Sequence, residues 1–103
     1  MTIIEHDAGS ELNIPKEGKY AIMFHLPGHC AGCKVALKTL EDKELKDITV
    51  ELIDAGDENN RPLINEYSAQ TAPTILYFEN GELSCRMDGL KAFISKQKEI
   101  FGD

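Results

Sequence analysis

The sequence predicts an α/β fold, a mixed central sheet of four to five strands flanked by helices on both faces. Three observations carry this expectation. Tyr20 to Leu26 is an almost unbroken apolar run with two aromatic residues, the composition of a strand covered on both sides. Asn80-Gly81 stands between two further strand-like runs, and Asn-Gly there is a strong short-range hairpin signal. Segments with helical spacing of apolar residues separate the other strands, which calls for parallel crossover connections beside the antiparallel hairpin.

Taken in order, Thr2 to His6 is a short first strand. Asp7 to Lys19 is polar and carries Gly9, Pro15 and Gly18, so it reads as a loop with one helical turn around Ser10 to Ile14. Tyr20 to Leu26 is the central strand, broken by Pro27-Gly28-His29. From about Cys30 a helix begins, with Val35, Ala36, Leu37, Leu40 and Leu45 as its apolar stripe and Lys34, Lys38, Glu41, Asp42 and Lys43 on the wet side. Ile48 to Ala55 is the next strand, followed by a polar turn from Gly56 to Asn60. Arg61 to Tyr67 is a short helix that tolerates Pro62 in its first turn. Thr74 to Phe78 and Leu83 to Met87 pair across the Asn-Gly turn, Gly89 ends the second of them, and Lys91 to Phe101 closes the chain as an amphipathic helix.

A length of 103 residues suits one domain, expected to span the whole chain. The formal charge of −7 argues against non-specific nucleic-acid binding. No apolar run is long enough to span a bilayer, so no membrane partner is expected. Met1 to Ser10 lacks the basic and apolar regions of a signal peptide, which makes the cytoplasm the expected compartment.

Cys30, Cys33 and Cys85 are the cysteines, and an odd number fits poorly with a disulfide scaffold. The first two form Cys-x-x-Cys where a buried strand gives way to a helix. A thiolate at Cys30 would face the free N–H groups of the first turn and the positive end of the helix dipole, both of which lower a thiol pKa. Cys33 lies about one turn on, close enough to close a small disulfide ring. Cys30 is therefore the candidate nucleophile and the more exposed member. Cys33 is the resolving thiol, which displaces Cys30 from a mixed disulfide. The alternative is a zinc or copper module with Cys30, Cys33 and His29 or His25 as ligands; zinc normally takes four ligands, and no second Cys or His pair stands at motif spacing. His29 could also stabilise the thiolate or protonate a leaving thiol. Cys85 reads as a half-buried structural thiol on an edge strand, and Tyr67 and Phe78 as core.

His29-Cys30-Ala31-Gly32-Cys33-Lys34 after an apolar strand resembles the active-site segment of the thioredoxin family. Thr71-Ala72-Pro73-Thr74-Ile75-Leu76-Tyr77-Phe78 running into Glu79-Asn80-Gly81-Glu82 is similar to that family's cis-proline strand and hairpin, and Gly89 falls where the family has a glycine. The resemblance covers roughly Tyr20 to Phe101. It implies a thioredoxin-like fold, a cis Pro73 packed beside the cysteine pair, and Ala72 offering backbone groups to a substrate strand. It also implies a monomeric thiol-disulfide oxidoreductase without a cofactor, acting on disulfide-containing proteins and recharged by a thioredoxin-reductase-like partner. A donor role toward ribonucleotide reductase, and a bacterial or bacteriophage origin, belong to the same expectation. A glutathione-dependent glutaredoxin is the second reading; the Glu79–Glu82 turn favours thioredoxin, and Met87-Asp88-Gly89 only faintly echoes a glutathione site.

The departures from the pattern are specific. Gly32 replaces the proline between the cysteines, which implies a looser ring and an altered redox poise. Phe24 stands where the family has a buried aspartate. Glu51 stands near the family's partner lysine and reads equally well as a surface charge. Lys38 replaces a helix-kinking proline, so a straighter helix is expected.

Overall fold

The computed structural model describes residues 1–102. Its strands are β1 (Thr2–Glu5), β2 (Lys19–His25), β3 (Ile48–Asp54), β4 (Thr74–Glu79) and β5 (Glu82–Asp88). Its helices are α1 (Ala31–Asp42), α2 (Arg61–Glu66) and α3 (Leu90–Phe101), with a single 3₁₀ turn, Glu58–Asn60, leading into α2. The strands form one sheet in the order β1-β3-β2-β4-β5. β1, β3 and β2 are mutually parallel, β4 is antiparallel to β2, and β5 is antiparallel to β4. The mixed five-stranded sheet is the one expected.

Strand alternation divides the core into two layers. Ala21, Met23, Val50, Leu52, Ile75 and Tyr77 face α1 and α3 and pack on Cys33, Ala36, Leu40, Phe93 and Phe101. Tyr20, Ile22, Phe24, Ile53, Leu76 and Phe78 face α2 and pack on Ile64 and Ala69. Helices therefore cover both faces. β2 is central and takes part in both layers, which explains its continuous apolar sequence. Phe78 is core as expected, and Tyr67 packs at the edge of the second layer with its ring 6.3 Å from that of Phe24.

The hairpin closes on Asn80 and Gly81 alone, with φ of 51° and 85°, the left-handed pair that a two-residue type I′ turn requires. Asn80 also ties the turn to the loop before β2: its N–H donates to the Gly18 carbonyl, and its Oδ1 accepts from Gly18 N–H, both at 2.9 Å.

Four expectations change. Ser10 to Ile14 forms no helical turn, because Gly9 N–H bonds to Asn60 Oδ1 at 3.1 Å and Leu12 and Ile14 are drawn onto the α2-side core. Val35 is 46% exposed: the helical period puts Cys33, Ala36 and Leu40 inward and turns position 35 away. Leu45 lies beyond the end of α1, although it still packs on the core. Glu51 is no surface charge but 6% exposed. Tyr20 Oη donates to its Oε1, and its Oε2 meets His6 Nδ1 at 2.5 Å. The other ring nitrogen of His6 lies 3.1 Å from the Ser10 carbonyl, so this cluster pins the chain after β1 against β3.

Candidate active site

The first turn of α1 carries the site. Cys30 is the N-cap, with extended φ/ψ of −138° and 100°, and its Sγ accepts a hydrogen bond from Cys33 N–H at 3.0 Å. One of the unpaired amides of a helix start is thus spent on sulfur. Cys30 and Cys33 are joined as a disulfide with their Cα atoms 5.2 Å apart. Cys30 is half-buried, whereas Cys33 is 3% exposed and belongs to the core layer under α1 and α3. The order of exposure is the one the helix position predicts. α1 runs unbroken through Lys38, which pairs with Asp42 at 3.5 Å on the exposed face.

A second segment closes on this turn from the start of β4. The Ala72–Pro73 peptide is cis. A Cβ placed on Gly32 would lie 3.5 Å from Pro73 Cδ and 3.4 Å from Leu90 Cβ, so the disulfide turn, the proline and the start of α3 are in mutual van der Waals range. Thr74 Oγ1 donates to the Thr71 carbonyl, and Gly89 N–H donates to the Pro73 carbonyl at 2.7 Å. Gly89 does this at a φ of 88°, which an L side chain would resist. Among the described residues, neither the N–H nor the C=O of Ala72 has a hydrogen-bond partner in the chain.

Arg86 holds the approach to this segment, a role that sequence reasoning missed. Its guanidinium donates to the carbonyls of Tyr67 and Ser68 (the latter at 2.9 Å), just past α2, and forks onto Asp88 at 2.8 and 3.0 Å. The Arg86 hydrogen bonds hold the Asp88 carboxyl below the usual carboxylate range. Arg86 and Asp88 share one face of a strand, a same-face pair visible in sequence; its reach to the α2 loop is not.

His29 is exposed in the loop ahead of Cys30. His25 ends β2 beside Asp54, and burial lowers its pKa against the opposing pull of Asp54 and Glu5. It lines a cavity of 220 Å³ with Glu5, His6, Asp54 and Asp57, apart from the residues that line the neighbouring cavity at Ala72. Among the described residues no three His, Cys, Asp or Glu side chains converge to hold a metal, so the zinc or copper reading finds no ligand set. Phe24 is fully buried beside Tyr67, and no carboxylate occupies that position. Cys85 is a free, half-buried thiol opposite Tyr77 on β5.

No family model and no curated protein matches the sequence. Solved structures do. The chain superposes on spinach chloroplast thioredoxin f with a TM-score of 0.76 and 17% identity, over 96% of this chain and 89% of that one. It superposes on oxidised thioredoxin O1 of Arabidopsis thaliana with a TM-score of 0.67 and 16% identity, over 84% and 80%. A complex of ferredoxin:thioredoxin reductase with thioredoxin f2 gives 0.70 and 13%, over 96% and 94%. At these identities the likeness establishes the fold, and the fold is that of thioredoxin.

Proposed function

We propose that the chain is a single-domain thiol-disulfide oxidoreductase that reduces disulfides in other proteins. The observation that carries this is the disulfide itself: a half-exposed sulfur capping a helix, bonded to a buried one a turn later, beside the unpaired backbone of Ala72. In the reduced form, the Cys30 thiolate accepts a hydrogen bond from the Cys33 amide and sits at the positive end of α1, which favours the nucleophilic state. It attacks one sulfur of a substrate disulfide, forming a Cys30–substrate bond and releasing the other substrate sulfur as a thiolate. Cys33, as its thiolate, then attacks Cys30 Sγ. The internal disulfide forms and the second substrate sulfur leaves; two electrons have passed to the substrate, and both product thiols take up protons.

Ala72 positions the substrate. Its free N–H and C=O suit an extended segment laid against the start of β4, and Pro73 limits how that segment approaches the sulfurs. His29, exposed beside Cys30, is assigned a supporting role as proton donor to the leaving thiolate. Recharging needs a dithiol donor, and the thioredoxin f2 complex with its reductase supports a partner of that class. Action as a monomer in the cytoplasm, with ribonucleotide reductase among the acceptors, completes the proposal.

Insulin reduction with dithiothreitol as recharging reductant tests it. Cys30→Ser is expected to abolish activity, and Cys33→Ser to accumulate mixed disulfides. Full activity in Cys30→Ser refutes the mechanism.

A further inference from the structure

Beside Ala72, between α2 and the loop that leads to Pro73, lies an open cavity of 250 Å³. Leu26, Ile64 and Ala69 supply apolar walls, and Arg61 and Gln70 are among its polar lining. The chain has two arginines, and they are used differently. Arg86 is consumed by Asp88 and two carbonyls. Arg61 is exposed and, among the described residues, has neither an ion pair nor a side-chain hydrogen bond. An unpaired arginine lining a cavity with apolar walls, which Ala72 also lines, is suited to a carboxylate. The planar fork takes both oxygens, and the apolar walls cover the methylenes of a glutamate and reduce screening.

We infer that Arg61 selects substrates that carry a glutamate two to three residues from the attacked cysteine. The spacing takes the attacked cysteine to lie against Ala72 and the glutamate to reach across the cavity. A cavity of 250 Å³ is about 8 Å across if taken as a sphere, and an extended chain on Ala72 advances about 3.3 Å per residue. The inference rests on the oxidoreductase reading and names its substrate class. Arg61 acts as a specificity residue and touches no reacting sulfur.

The chain's charge of −7 repels any acidic peptide at long range, so the test holds peptide charge constant. Two isomeric disulfide peptides of equal composition are compared, one with its glutamate two residues from the cysteine and one with it at the far end. Wild-type protein recharged by dithiothreitol should reduce the near isomer with a kcat/KM about 5- to 30-fold higher, the range of a partly desolvated charge-assisted pair. Arg61→Gln should bring the ratio close to one, Arg61→Lys should retain part of it, and added salt should shrink it. Equal rates for the isomers in wild type, or an unchanged ratio in Arg61→Gln, overturn the inference. If insulin is reduced and the isomers are equal, only the inference fails; if neither insulin nor either peptide is reduced, the oxidoreductase reading fails and takes the inference with it.

Discussion

Removing one oxygen atom from Tyr20 should cost the protein a sizeable part of its stability. Tyr20 Oη donates to Glu51 Oε1, and both residues are 6% exposed, so water cannot replace the lost donor in Tyr20→Phe. A hydrogen bond to a charged group contributes about 1.5–3 kcal/mol net. Globular proteins gain about 2.1 cal/mol/K of unfolding entropy per residue, so over 103 residues that loss lowers Tm by about 7–14 °C. Tyr77→Phe is the control: its hydroxyl bonds at 2.8 Å to Glu79, a carboxylate open to solvent, and its removal should cost about 0.5–1 kcal/mol. The pH dependence supplies a second signature. Burial first, and then the hydrogen bond and charge of Glu51, raise the Tyr20 pKa; Tyr77 is pushed up to about 12 by burial and Glu79. A raised folded pKa means stability that is complete below the unfolded value of about 10 and is lost as pH climbs above it. Urea denaturation at pH 8 should show the full gap between wild type and Tyr20→Phe, and the gap should narrow from pH 10 upward. A loss at pH 8 below 0.5 kcal/mol, or one no larger than that of Tyr77→Phe, would refute the reasoning.

Two further outcomes follow from the same geometry. Gly32→Ala should stabilise the oxidised protein by about 0.5–1 kcal/mol, raising Tm by about 2–5 °C, because the new Cβ meets Leu90 and Pro73 at ordinary contact distances and the unfolded chain loses freedom; a drop in Tm on thermal melting refutes it. His25→Gln should flatten the fall in stability below pH 6.5. Burial lowers the folded His25 pKa, so the unfolded chain binds the proton first and wild type weakens as pH drops; the urea midpoint should fall more for wild type than for His25→Gln between pH 7 and pH 5, and an equal fall refutes it.

What was legible in the sequence was whatever local chemistry fixes. The Asn80-Gly81 turn needs two positive φ values and those residue types supply them. The order of exposure at Cys30 and Cys33 follows from one being the cap and the other a turn inside. What was illegible depended on partners distant in the chain. Glu51 reads as a surface residue because its neighbours are uninformative; its burial is stabilised by Tyr20, 31 positions away, and His6, 45 away. The segment after His6 has the composition of a loop with a helical turn, yet Asn60 and the α2-side core hold it in an irregular path. Arg86 acts through carbonyls, which no residue type announces.

The two core layers also divide the labour of the molecule. Cys33 lies in the layer under α1 and α3, while Phe24 and Tyr20 lie in the layer under α2, and Glu51 reaches that second layer through Tyr20. A carboxylate at position 24 would be buried among Ile53, Leu76 and Tyr67 with no charge to meet it, at a cost of several kcal/mol. Phe24 instead contributes packing. If Cys33 resolves the mixed disulfide as proposed, position 24 offers no buried carboxylate to receive its proton. On the proposed mechanism, Cys33 would give its proton to the thiolate that the substrate releases in the first step, leaving His29 to protonate the second substrate thiolate, so that the exchange balances. On that route proton transfer would be tied to substrate cleavage, and Cys33 would attack only once a mixed disulfide has formed.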